Sequence, residues 1–134
     1  MRIKKVSHIA VAASDTQQAK VLYQEILGLN FSGSESVEQE GVTTHFYDAG
    51  ESSIELLEPL SVETPVGRFL EKRGPGLHHI ALEVEGLDDY VLKLREAGIA
   101  LLSDEPQMGA HDMRIIFIHP KSAGGVLIEL CEKT

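Results

Sequence analysis

Residues 76–84 read GLHHIALEV. Two adjacent histidines open an apolar run of strand length, and a polar ring is costly in such a place unless it has a partner. Side chains alternate across a strand. His78, Ile80, Leu82 and Val84 therefore share one face, and Leu77, His79, Ala81 and Glu83 share the other. The first face is greasy and belongs against a core. The second sets His79 beside a small residue, Ala81, which leaves room for something to bind.

The stretch has a counterpart. SHIAVAASD at 7–15 resembles HHIALEVEG at 78–86, and each leads into a helical pattern that ends on glycine. SIELLEP at 53–59 resembles LIELCEK at 127–133. The two pairs are offset by 71 and 74 residues. Two copies are too few for a solenoid. They predict one domain, 1–134, in which a strand–helix–strands unit at 1–60 recurs at 76–134 around a pseudo-twofold sheet. A short helical connector falls near 64–74.

Parity extends to the repeated strands. His8, Ala10 and Ala12 lie opposite Ile9, Val11 and Ala13; Ser53, Glu55 and Leu57 lie opposite Ile54 and Leu56; Leu127, Glu129 and Cys131 lie opposite Val126, Ile128 and Leu130. With the greasy faces against the helices, His8, Glu55, His79 and Glu129 reach a common concave surface. Two imidazoles and two carboxylates make a divalent-metal site. His78 starts on the core side. Co, Ni, Mn, Mg or Zn suits these donors, and structural zinc, which favours cysteine-rich tetrahedra, does not. A six-coordinate ion with four protein ligands keeps two positions for two oxygens of one substrate. That favours Lewis-acid chemistry through an enolate.

The remaining pattern is coarser. Strands are predicted at about 4–13, 42–49, 52–58, 77–85, 99–103, 112–119 and 125–131, with hairpin turns at DAGES (48–52) and HPKSAGG (119–125). SDTQQAKVLYQEILG predicts a helix capped by Ser14 or Asp15, with Ala19, Leu22, Tyr23, Ile26 and Leu27 as its inward stripe. GLDDYVLKLREAG predicts another, capped by Asp88, with Leu87, Val91 and Leu94 inward. A third is expected at TPVGRFLEKRG, with Pro65 near its start. Loops at 32–41 and 103–111 are candidate lids or rims. His45 reads as a surface strand residue, and His111 and His119 as loop residues.

Composition bounds the partners. A hydrophobic fraction of 43% and a charged fraction of 25% fit a soluble domain. No apolar run approaches the roughly 20 residues of a membrane helix. The start, MRIKKVSHIAVAA, has a signal-like outline, but Ser7 and His8 interrupt it and it reads better as a strand. A net charge of −9 disfavours nucleic acid and anionic membranes. Lys4, Lys5, Arg68, Lys72, Arg73, Arg114 and Lys121 can still serve an anionic small molecule locally. The single cysteine, Cys131, excludes an intrachain disulfide and fits a reducing cytoplasm.

These residues resemble the vicinal oxygen chelate (glyoxalase) superfamily, whose hallmark is paired βαβββ modules carrying His, Glu, His and Glu. Within it the chain is similar to the methylmalonyl-CoA epimerases over nearly its full length, through HIAVAASD, YQEILGL, IELLEPL, TPVGRFLEKRGPGLHHIALEV, LSDEPQMGAH and FIHPKSAGGVLIEL. The resemblance implies an α+β fold of tandem βαβββ modules in one open, cupped mixed sheet. It implies a cytoplasmic homodimer that epimerises (R)- and (S)-methylmalonyl-CoA through a metal-stabilised enolate. His8, Glu55, His79 and Glu129 would be ligands, cobalt the favoured ion, Glu129 also a proton-transfer group, and Lys121 a contact for CoA phosphate. Some members carry a second glutamate on the strand after a Gly-Val; here that place is Thr44, which cannot be a general base. Glu38 and Glu40 lie nearby. The alternatives are a glyoxalase I-like isomerase, which usually has a DPDG-type turn where this chain has HPKSAGG, and a metal-free binding protein of the same fold.

Overall fold

Strand β1 (Arg2–Ala12) is shared by two units into which the computed structural model, covering all 134 residues, divides. The first unit is His8–His78; the second joins Met1–Ser7 to His79–Thr134.

In the first unit β1 leads to α1 (Thr16–Lys20), a π-helical segment (Val21–Ile26), β2 (Asn30–Val37), β3 (Val42–Ala49), β4 (Ser52–Pro59) and α2 (Pro65–Arg73). The strand order is β2-β3-β4-β1, with β1 parallel to β4 and the other pairs antiparallel. The second unit repeats the plan with β5 (Gly76–Glu85), α3 (Leu87–Glu96), β6 (Gln107–Met108), β7 (Met113–Ile118) and β8 (Ile128–Lys133). Its order is β5-β8-β7-β6, with β5 parallel to β8. Each copy is therefore a βαβββ module. Along the start of β1, Arg2 and Lys4 bond Glu85 and the buried Glu83 at 3.0 and 3.1 Å. No helix is long and apolar enough to cross a membrane.

The second unit builds its main core as the periodicity expects. Leu87, Val91 and Leu94 of α3 pack on Val84, Ile116 and Leu130. Its cap differs. Asp88 lies inside the first turn, 2.7 Å from Arg114, and Gly86 occupies the N-cap in left-handed conformation. The orphan N–H groups of Gly86 and Leu87 instead donate to the Glu132 carboxylate at 2.6 and 3.3 Å. A carboxylate from β8 does the work of a cap and complements the helix dipole.

The first unit departs further. Asp15 caps α1, accepting from the Gln18 N–H at 3.0 Å. Beyond Lys20 the winding changes: the Leu27 N–H donates to the Leu22 carbonyl, five residues back. This wider turn breaks the 3.6-residue stripe. Leu22, Ile26 and Leu27 stay exposed, Ile26 by 70%, and Ile9 beneath is itself 36% exposed. Ala19 and Tyr23 are the half-buried members of the stripe, the Tyr23 ring 6.2 Å from that of Tyr47. The buried cluster forms on the opposite face, where Val66, Phe69 and Leu70 of α2 cover Ala10, Ala12, Val42 and Leu57.

Three local expectations are also corrected. The stretch 32–41 contains most of strand β2; its serines and glutamate hide it because an edge strand need not alternate apolar residues. The run at 99–103 makes only one bridge, Leu101 to Ile118. The 103–111 loop contains the two-residue β6.

Helix α2 is docked through Gly67. Its N–H donates to the Thr64 hydroxyl at 3.2 Å. A Cβ there would overlap the Ser61 carbonyl oxygen and stand 2.8 Å from Val62 backbone. Alanine normally stabilises a helix interior by about 1 kcal/mol over glycine. Gly67→Ala should do the reverse, lowering stability by about 1–3 kcal/mol through overpacking, read as a lower urea midpoint. An unchanged or raised midpoint would contradict this docking.

Candidate functional site

Residues opposite each other in a ladder point to the same side. In the first unit Ala10 faces Glu55 across β1 and β4, and His8 faces Ser53. His8, Ala10 and Glu55 therefore share one side, and His8 Nδ1 lies 3.1 Å from Glu55 Oε2. In the second unit Ala81 faces Glu129 across β5 and β8. His79 Nε2 lies 3.3 Å from Glu129 Oε1. All four side chains are buried. The small alanines leave the imidazoles room, as the sequence indicates.

Each pair has an aromatic neighbour that the sequence reading missed. Phe46 of β3 is opposite Glu55, and Phe117 of β7 is opposite Glu129. The Phe117 ring meets His79 edge-on, centroids 5.4 Å apart, which limits how the imidazole can turn. The signal was present: the two phenylalanines are 71 residues apart, the same offset that relates the histidines.

Burial pushes the His79 imidazole down to about 4. A neutral imidazole keeps its lone pair available to a cation. Carboxylates taken out of water need a counter-charge or protons. Neutral nitrogens and carboxylate oxygens in pairs are donors that fit a divalent ion.

Other residues fall elsewhere. His78 packs edge-on against Phe69 of α2, centroids 4.9 Å apart. His45, expected on the surface, is buried: Nδ1 bonds Ser34 Oγ at 2.7 Å and Nε2 bonds Glu58 at 2.9 Å. Its ring links three strands, so the polar atom has partners and burial is tolerated. His119 Nδ1 accepts from the Lys121 N–H at 3.0 Å, and the Lys121 side chain is exposed in the turn before β8. Lys4 and Arg114 are engaged by carboxylates. Thr44 is buried, while Glu38 and Glu40 sit in the β2–β3 turn.

Comparison with known proteins bears on these pairs. The family model for the glyoxalase/bleomycin resistance protein/dioxygenase superfamily matches residues 7–117. The chain belongs to this superfamily. Its fold is the glyoxalase-like fold that the tandem modules predict. Among superfamily members, the ethylmalonyl-CoA/methylmalonyl-CoA epimerase of Cereibacter sphaeroides is 38% identical over 130 residues, 96% of this chain and 97% of the relative. The mitochondrial methylmalonyl-CoA epimerase of Homo sapiens is 39% identical over 127 residues, 94% of this chain and 72% of the relative. A Streptomyces coelicolor methylmalonyl-CoA epimerase in complex with 2-nitronate-propionyl-CoA superposes with a TM-score of 0.92 at 33% identity, covering 99% of this chain and 96% of that one.

The low value at His79 carries a stability consequence. Between its ordinary 6.5 and about 4, the unfolded chain binds a proton that the folded chain refuses. Stability therefore falls as pH drops through that window. Metal-free protein should lose melting temperature progressively from pH 6.5 toward 4, with the His79 ring protons titrating near 4 by NMR. A His79 midpoint at or above 6.5 would contradict this environment.

Proposed function

We propose that the chain interconverts (R)- and (S)-methylmalonyl-CoA, with His8, Glu55, His79 and Glu129 holding one divalent cation between them. The observation that carries the reading is the duplicated buried pair, one histidine and one glutamate at matching places in both modules. It occurs in a chain similar to epimerases along nearly its whole length. Of the ions that suit these donors, cobalt is the first choice.

The α-carbon of the substrate lies between a carboxylate and a thioester carbonyl, so its proton is acidic for a C–H bond. The cation, when bound, supplies a Lewis acid for charge developing on the thioester oxygen. The chain's residues do the rest. The imidazoles of His8 and His79 and the carboxylates of Glu55 and Glu129 serve as ligands. The Glu129 carboxylate takes the α-proton from one side, and a proton delivered from the other side inverts the centre. Buried Ala10, Ala81 and Phe46, with half-buried Phe117, limit water at the pairs. Lys121, exposed before the strand that carries Glu129, is the contact for CoA phosphate. Exposed Leu22, Ile26 and Leu27 are consistent with a homodimer, and the lone buried thiol of Cys131 with the cytoplasm.

The test is deuterium uptake at the α-carbon of methylmalonyl-CoA in D2O, followed by proton NMR. Uptake and epimerisation should vanish with a chelator and return with added divalent ion. Glu129→Gln should slow both by about 10²–10⁴-fold, the usual worth of a positioned acid–base group. His79→Ala should abolish them. Uptake that continues undiminished in His79→Ala would overturn the reading. Turnover of the methylglyoxal–glutathione hemithioacetal in preference to methylmalonyl-CoA would favour an isomerase instead.

A further inference from the structure

Inverting one carbon centre calls for a proton-transfer group on each side of the substrate, and Glu129 accounts for one. The related place on β3 holds Thr44, whose hydroxyl is no base near neutral pH. The structure offers another carboxylate. Glu35 of β2 stands directly opposite Thr44 in the β2–β3 ladder. Opposed residues have Cβ atoms about 4.5–5.5 Å apart on the same side of the sheet. Thr44 is in turn opposite Leu57, two residues along β4 from Glu55. Glu35, Thr44, Leu57, Glu55, Ala10 and His8 therefore lie on one side of the first unit's sheet.

That placement depends on a bulge. Phe31 pairs with Tyr47 and Gly33 with Phe46, so Ser32 is an extra residue. Without it Glu35 would fall opposite Thr43, on the side of His45 and Tyr47. Gly33, at φ 131°, supplies the conformation that an L side chain rarely adopts. Bulges re-aim side chains in this way beside functional sites. Glu35 is half-buried while its neighbours Ser34 and Ser36 are exposed. Thr44, opposite it, is short and buried.

We infer that Glu35 is the second acid–base residue, supplying from β2 the carboxyl that some relatives carry on β3; this rests on the reading of the site as an epimerase. The C–H bond on one side breaks as the Glu129 carboxylate takes its proton. A new C–H bond forms on the other side with the proton of the Glu35 carboxyl group, which is left ionised. Both groups re-equilibrate with solvent before the next turnover, and the reverse reaction exchanges their roles.

The experiment follows Glu35→Gln with each enantiomer of methylmalonyl-CoA separately in D2O, scoring deuterium uptake and change of configuration. Epimerisation should fall at least about 10²-fold. The enantiomer whose proton faces Glu129 should still take up deuterium with retained configuration, within about tenfold of the wild-type rate, and the other should not. Retained one-sided exchange also shows that the variant is folded. Epimerisation within twofold of wild type, or equal loss of exchange from both enantiomers, overturns the inference and leaves the epimerase reading standing. Wild-type protein that neither exchanges nor epimerises overturns both.

Discussion

A histidine and a glutamate buried against each other, once in each module, are the arrangement on which the rest depends. Carboxylates at Glu55 and Glu129 are expensive to take out of water, and each is taken out beside an imidazole at 3.1 or 3.3 Å. An apolar pair at the same places would fold at lower cost. The βαβββ plan explains how the pairs are held: the first and last strands of each module are parallel neighbours, so one residue from each meets on the same side. The helices then cover what the pairs leave. The α3 core buries the opposite side of its sheet, and α2 closes the side of His8 beyond Ala12.

Duplication has not kept the two halves alike. The second unit has Ile115 and Phe117 on the site side, packed with Ala81 and Cys131. The first has Thr44 and Phe46 in the corresponding strand. His8 presents Nδ1 to its glutamate, whereas His79 presents Nε2. The bulged β2 carries a glutamate toward the site side, and the short β6 has no equivalent.

The chemistry-bearing residues were the most legible part of the sequence. Alternation fixes which neighbour of a pair faces which way, so His79 is separated from His78, and Glu55 from Ile54, by counting alone. The α3 stripe was equally plain because Leu87, Val91 and Leu94 follow the helical period. The rest escaped for particular reasons. Strand β2 is an edge strand of serines and glutamate with an extra residue at Ser32, so neither hydrophobicity nor parity announces it. The α1 region carries an ideal stripe, but π winding after Lys20 turns Leu22 and Ile26 outward. Asp88 has the right chemistry for a cap and loses the place to Glu132, more than forty residues away in sequence. Burial of His45 depends on partners from two neighbouring strands that no local pattern reveals.

The central claim is that both modules contribute to a single ion. Calorimetric and spectroscopic titration of chelator-stripped protein with Co²⁺ tests it most directly. One ion per chain is expected. Affinity should fall alike in His8→Ala and His79→Ala, by more than the roughly 10–100-fold lost when only a supporting partner of a ligand is removed. Two ions per chain, or a His8→Ala protein that binds as tightly as wild type, would contradict it.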